Sequence, residues 1–444
     1  MKENKNFLAR GILWVVLYTF LVITPLLMLI LGPKSSGRAL LQNLSVGLAF
    51  TGLAMMALQF ALTARIKPLN EPFGSDMVYY FHRQIGIAAF LMIFAHPILI
   101  FFNFLEDVNY LDVFTATLPG RAGVIALLLL IGVVWMSEFR SQLKIPYGSW
   151  KLMHGLIAIT SFAAAILHIY WNGNYINLPW KQQLWLTYFV AWMLLLLYTR
   201  IIYPLRLMRH PYEVVKVKPE WGNCTTIQVR PPTGKKLNFQ PGQFAWLTAW
   251  KTPFSDTEHP FSIASSAERP DLLEFTIKEL GKFTASIKQL KPGQKVYVDG
   301  AYGSFSCDRY PQARALVLLA GGIGITPIMS MLRSLADRGD NRPLGLFYAN
   351  RDRESITFYD EFDNLEKRLN LKVVQVLEKP PQEWNGEIGF ITTEILQRHL
   401  DQSLLALQPQ FFICGPKPMM NAVEGHLAEI GYRFPQVHSE RFAL

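Results

Sequence analysis

The chain has 444 residues, 51% of them hydrophobic, and a formal net charge of +10. That length exceeds what one compact core accommodates, and the basic residues form no single stripe with interleaved aromatics, so nucleic acid is excluded as the partner the charge serves. Cys224, Cys307 and Cys414 stand too far apart for a disulfide framework or for a zinc or iron–sulfur spacing and read as reduced cytoplasmic thiols.

The first ten residues are basic and lead into an apolar segment that runs to about Leu31. No small-residue cleavage site interrupts it, so it reads as a membrane anchor and not a removable signal. Spanning the hydrocarbon core of a bilayer takes roughly 20 apolar residues per helix. Six segments qualify, near 8 to 31, 39 to 63, 78 to 103, 121 to 137, 150 to 171 and 182 to 203. One set of flanks collects Lys2, Lys5, Arg10, Arg65, Lys67, Arg83, Arg140, Lys144, Lys151, Arg200, Arg206 and Arg209, whereas the other has only Lys34, Arg38, Arg121 and Lys181. The excess of positive charge on cytoplasmic flanks then predicts a multi-pass protein of the cell's inner (plasma) membrane, with the N-terminus and everything after the sixth helix in the cytoplasm. A short linker, Tyr203 to Glu213, leaves the sixth helix with basic residues and two prolines.

The third and fifth segments share a pattern. "HRQIGIAAFLMIFAH" sets His82 and His96 fourteen residues apart, and "HGLIAITSFAAAILH" does the same with His154 and His168. Fourteen helical residues advance ~21 Å and turn ~1400°, within about 40° of whole turns, so each pair projects from one face. The two helices run in the same direction, which puts His82 level with His154 near the cytoplasmic face and His96 level with His168 near the outer face. Two imidazoles from opposing helices can bind a haem iron from both sides. Gly86, Ala88, Ala89, Ala95, Gly155, Ala158 and Ala163 to Ala165 offer small side chains beside a flat porphyrin. A single histidine at a helix end is commonly interfacial, but ionisable residues in lipid are costly and four at matched spacing point to function.

From Glu213 onward, short apolar segments alternate with Gly and Pro turns. Period-two strands around "GQFAWLTAW" and "LLEFTIKEL" suggest a small β-barrel, with "HPFSIASS" as a serine-rich loop between them. In "ELGKFTASI", Gly281 permits close backbone approach and Thr284 starts a helix whose free N–H groups suit a diphosphate. "ALVLLAGGIGITPIMSMLRSLA" reads as buried strand, glycine turn and helix, where Gly321, Gly322 and Gly324 let the turn approach a phosphate, although GGxG is not the GxGxxG fingerprint. A second strand, "LGLFYAN", ends at Arg351 with Arg353 close behind, suiting a 2′-phosphate and hence NADPH over NADH. A later strand ends in Cys414, Gly415 and Pro416, at the carboxyl edge where ligands bind.

In this order the segments resemble the superfamily of transmembrane NADPH oxidases and ferric reductases, over nearly the whole chain. The resemblance implies a multi-domain membrane protein: a six-helix haem bundle over 1–205 and a ferredoxin-reductase-like module, made of an antiparallel β-barrel FAD domain over 206–310 and an α/β parallel-sheet NADPH domain over 311–444. It implies His82, His96, His154 and His168 as ligands of two b-type haems. It implies a flavin motif at His259, Pro260, Phe261 and Ser262, with serine in place of threonine, and a diphosphate contact at Gly281 and Thr284. The NADPH loop maps to Gly321 through Pro327, including Thr326, and the CGP segment to Cys414 through Pro416. The ending "HSERFAL" matches the family's aromatic cover over the flavin, so Phe442 joins Cys414 as a candidate catalytic residue. Neither a calcium-binding extension nor a docking loop for a cytosolic activator is evident, which implies constitutive activity. Electrons would pass from NADPH through FAD and both haems to an outer acceptor, either O2 or a ferric chelate. The rivals are a haem membrane subunit serving a protein partner and a flavin reductase anchored by a haem-free bundle.

Overall fold

The structure is a computed structural model and describes residues 2–31, 40–103, 114–255, 257–433 and 435–441. The chain divides into two compact units, one comprising Met1–Phe73 and Met77–Pro204, the other Gly74–Asp76 and Leu205–Leu444.

The first unit is helical. Its long helices are α1 (Lys2–Ile30), α2 (Leu40–Leu62), α3 (Ser75–Asn103), α4 (Leu118–Glu138), α5 (Tyr147–Asn172) and α6 (Pro179–Leu197). All six are long and apolar enough to cross a membrane, the last in a span that runs on to Met208. The segments holding Lys34 and Arg38 lie outside the described residues. Local sequence sets the ends. At the start of α4 the Thr117 hydroxyl accepts the Gly120 N–H and Pro119 occupies the first turn, where a missing N–H costs nothing. α5 stops at Gly173, whose left-handed φ of 63° lets its N–H reach Ile169 O. Pro97 sits inside an unbroken α3.

The linker differs from the sequence expectation. Residues after α6 remain helical through a π-turn at Tyr198–Ile202 and an α-helical run at Tyr203–Met208. Pro204 has no N–H for the preceding turn, and the wider turn before it, where Tyr203 N–H bonds Tyr198 O, lets the helix continue.

Phe50, Phe162, Trp185 and Trp192 form the buried centre of this unit, with the Phe162 and Trp192 rings 4.6 Å apart. Interhelical hydrogen bonds add to it. Ser161, on α5, donates to Ala126 O on α4 at 2.7 Å, and the Tyr188 hydroxyl on α6 donates to Leu21 O on α1.

The second unit holds two six-stranded sheets. Strands β1 (Tyr212–Glu220), β2 (Cys224–Arg230), β3 (Phe244–Thr248), β4 (His259–Ser262), β5 (Leu273–Lys278) and β6 (Lys295–Tyr302) pair antiparallel in the order β4-β3-β6-β1-β2-β5. Ile263, directly after β4, bridges to Phe275 on β5, which joins the edge strands and closes the barrel. "HPFS" is therefore a strand and not a loop, because its apolar Pro260 and Phe261 pair with Trp246 and Ala245 on β3. After β5 comes one helical turn, α7 (Lys282–Ser286).

The other sheet is parallel throughout. β7 (Leu316–Gly321), β8 (Leu344–Asn350), β9 (Leu371–Leu377), β10 (Glu387–Ile388), β11 (Gln410–Cys414) and β12 (Val437–Ser439) run in the order β10-β9-β8-β7-β11-β12. β7 carries residues that are buried along its whole length, as a central parallel strand requires. It leads into α8 (Ile325–Arg338), and β11 leads into α9 (Lys417–Glu429). The strand order reverses between β7 and β11, so the crevice at their carboxyl ends is where this kind of sheet takes ligands.

Candidate functional site

α3 and α5 bring the four membrane-unit histidines together as two pairs. The rings of His82 and His154 lie with centroids 6.3 Å apart and those of His96 and His168 at 6.4 Å. Metal–imidazole bonds of about 2 Å on each side separate two facing rings by roughly this distance. Among the described residues no group of three or more His, Cys, Asp or Glu is placed to hold a metal ion by itself. Each pair thus offers two protein ligands, the number that an iron already held by a porphyrin takes.

The surroundings suit such a group. Gly86, one turn beyond His82, faces open space: a Cβ there would meet no atom within 4 Å. Ala89 instead packs against α2, where a Cβ on Gly52 would fall 2.9 Å from Ala89 O. Gly123 on α4 makes room for the His168 ring, since a Cβ there would lie 2.7 Å from His168 Nδ1.

The Nδ1 atoms have their own partners. His168 Nδ1 is 2.8 Å from Pro119 O, His96 Nδ1 is 2.7 Å from Ser45 Oγ, and His154 Nδ1 is 3.0 Å from Ser137 Oγ. His82 Nδ1 is buried with no hydrogen-bond partner among the described residues. Beside this pair, Arg83 donates to both carboxylate oxygens of Glu138 at 3.1 and 2.7 Å, tying α3 to α4.

On the barrel, the His259 ring lies 4.1 Å from Phe283, and Phe261 stacks on Phe283 at 6.2 Å with 10° between planes. Ser262 is buried at the end of β4. The Thr284 hydroxyl accepts from Leu280 N at 2.8 Å and Gly281 N at 2.9 Å, so it braces the turn. Gly281 has extended backbone, φ −167°, and open space where a Cβ would be, which leaves its surface clear for a ligand.

At the carboxyl edge of the parallel sheet the glycines divide their work. A Cβ on Gly321 would overlap Met419 Sδ, and one on Gly324 would overlap Cys414 O, so both glycines allow the turn to pack on the CGP segment. Of the three, Gly322 alone combines a left-handed φ of 52° with open space where a Cβ would be. Thr326 donates to Ile323 O at 2.9 Å, and Pro327 is buried in α8. Arg351 and Arg353 are exposed just after β8. Arg353 lies over the Tyr359 ring, 5.3 Å from its centroid.

Cys414 is 1% exposed, and burial, aided by the nearby Glu440 charge, raises its thiol well above the ordinary range. It therefore stays protonated and packs as core. Glu440 itself is buried at the same edge and was not singled out by the sequence, where an acidic residue near a chain end carries no signal of its own. Arg441 holds the tail to α9 through Asn421 and Glu424, both at 2.7 Å. Phe442 lies outside the described residues.

Three families match in chain order. Residues 48–167 match the ferric reductase like transmembrane component, 210–306 an FAD-binding domain and 318–425 the oxidoreductase NAD-binding domain. A multi-pass membrane bundle joined to flavin- and nicotinamide-binding domains defines a class, the membrane NAD(P)H-dependent oxidoreductases that transfer electrons across a bilayer. Within it, the chain belongs to the NADPH oxidase and ferric reductase superfamily, whose architecture these three components make up.

The chain is 26% identical over 249 residues to NADH-cytochrome b5 reductase 2 of Mycosarcoma maydis, covering 51% of this chain and 71% of that protein. It is 35% identical over 166 residues to NADH-cytochrome b5 reductase 1 of Cryptococcus neoformans, covering 36% of this chain and only 56% of that one. It is 29% identical to the reductase component of propane 2-monooxygenase from Mycolicibacterium goodii, covering 48% and 62%. Among solved structures, the ferredoxin reductase in carbazole 1,9a-dioxygenase aligns with a TM-score of 0.46 and 26% identity over 52% of this chain and 69% of that one.

Proposed function

We propose that the protein moves electrons from cytoplasmic NADPH through FAD and two b-type haems to molecular oxygen on the outer side of the plasma membrane. One NADPH would yield NADP+, one proton and two superoxide ions. When bound, flavin and haem iron supply the conversion of two-electron hydride chemistry into single-electron transfers.

The residues of the chain hold and orient. His82 and His154 grip the inner haem, and His96 and His168 the outer one. His259, Pro260, Phe261 and Ser262 line the flavin, with the Gly281–Thr284 turn at its diphosphate. The Gly321–Pro327 turn and the backbone of Gly415 and Pro416, seated on the buried Cys414, face nicotinamide, and Arg351 and Arg353 select the 2′-phosphate. The observation that carries this reading is the pair of histidine spacings, 6.3 and 6.4 Å, at two heights on the same two helices.

Purified protein should contain two haems per chain, and NADPH with FAD should reduce both under anaerobic conditions. Protein without porphyrin, or haem that stays ferric with NADPH, overturns the proposal. Cytochrome c reduction inhibited by superoxide dismutase would identify oxygen as the acceptor. Faster turnover on a ferric chelate, insensitive to the dismutase, would identify iron instead.

A further inference from the structure

We propose that Ser45 and Ser137 are positioning residues for the haem ligands, and that their unequal support makes the outer iron the stronger reductant of the two. This rests on the haem reading above.

Hydrogen-bond directions can be worked out for three of the four rings. Ser45, fully buried on α2, donates its own proton to His96 O at 2.9 Å. Its oxygen is left as the acceptor for His96 Nδ1, at 2.7 Å. Ser137, on α4, donates to Val133 O at 2.7 Å, which likewise leaves its oxygen to accept from His154 Nδ1 at 3.0 Å and from Trp150 Nε1 at 3.4 Å. For His168 the partner is the Pro119 carbonyl, which can only accept. These acceptors match the tautomer that a ring bound to iron through Nε2 requires, with the proton on Nδ1.

The fourth ring differs. His82 Nδ1 is buried without an acceptor among the described residues. A ligating imidazole whose other N–H is hydrogen-bonded is the more basic and better-oriented ligand. More basic ligands favour the ferric state. The outer pair has two such bonds and the inner pair one, so the outer iron takes the lower midpoint potential. That ordering suits a final donor facing an acceptor outside the membrane, because the iron that makes the last transfer then has the stronger tendency to give up its electron.

The test is a spectroscopic redox titration of detergent-solubilised holoprotein. Wild type should resolve two midpoints, and His168→Ala should keep one haem with the higher of the two. Ser45→Ala should raise the lower midpoint and leave the other in place, and Ser137→Ala should raise the higher one alone. Ser45→Thr, which keeps the hydroxyl, should match wild type. If Ser45→Ala drops the outer haem, retention in Ser45→Thr supports the proposal and loss in both overturns it. Two bound haems whose midpoints ignore Ser45 and Ser137, or a lower midpoint that survives in His168→Ala, overturn it as well. Wild-type protein that binds no haem refutes the underlying reading instead, so the two failures are distinct.

Discussion

At the scale of single residues, small side chains decide whether the histidines can sit where they do. A methyl group on Gly123 would lie 2.7 Å from His168 Nδ1, inside van der Waals contact, so the ring must swing away from its partner. Gly123→Ala is therefore expected to lose about half of the bound haem, read as the haem-to-protein ratio, with helical content unchanged. In the second unit charge is the determinant. A charge-assisted hydrogen bond contributes about 1.5–3 kcal/mol, so replacing Arg351 and Arg353 together by serine should lower kcat/KM for NADPH roughly 10- to 100-fold and leave that for NADH nearly constant. Equal losses with both nucleotides would remove these arginines from the 2′-phosphate site. The histidines were legible in the sequence because helical period alone puts positions 82 and 96, or 154 and 168, on one face. Ser45 was not legible, since its partner lies 51 residues further along the chain, and Glu440 reaches Cys414 only through the pairing of β11 with β12.

At the scale of elements, the fourth helix read from sequence as 121 to 137 extends to Leu118–Glu138, because Thr117 and Pro119 together start it a turn earlier. The π-turn before Pro204 had no sequence signal, as it is a response of the backbone to a proline the surrounding helix continues past. Strand β12 is short and at the sheet edge, and His438 anchors it. Its ring stacks on Tyr310 at 4.0 Å, and its Nε2 lies 2.8 Å from Gln410 Oε1. Burial, with a smaller contribution from Arg309, lowers its pKa to about 4. The folded strand therefore refuses a proton that the unfolded chain accepts at the ordinary value near 6.5. The stabilisation is complete above that value and is lost as pH falls from about 6.5 toward 4, by roughly 3 kcal/mol at most. Amide exchange at Val437–Ser439 should accelerate across this window, and His438→Phe should abolish the pH dependence. Exchange that is flat with pH in the unmodified protein would rule the mechanism out.

At the scale of the whole molecule, the division into an apolar helical part and a reductase part was plain from composition, and the order of barrel and parallel sheet from periodicity. What joins the barrel to the parallel sheet was not, because it depends on polar side chains of α8. Arg333, 17% exposed, donates to Ala264 O at 2.7 Å and Glu274 on the barrel at 2.9 Å, and also to Glu361 at 2.6–2.7 Å. Ser330 donates to Ser265 O, and Ser334 accepts from Ala267 N, both at 2.8 Å, so one helical face fastens the segment after β4. Arg333→Met would leave two carboxylates without their cation at a cost of about 3 kcal/mol. The reductase part should then melt in two calorimetric transitions instead of one, and a single unshifted transition would count against this fastening. The four histidines have a consequence of their own. Because both pairs sit on the same two helices, a change in helix spacing at one pair is passed on to the other.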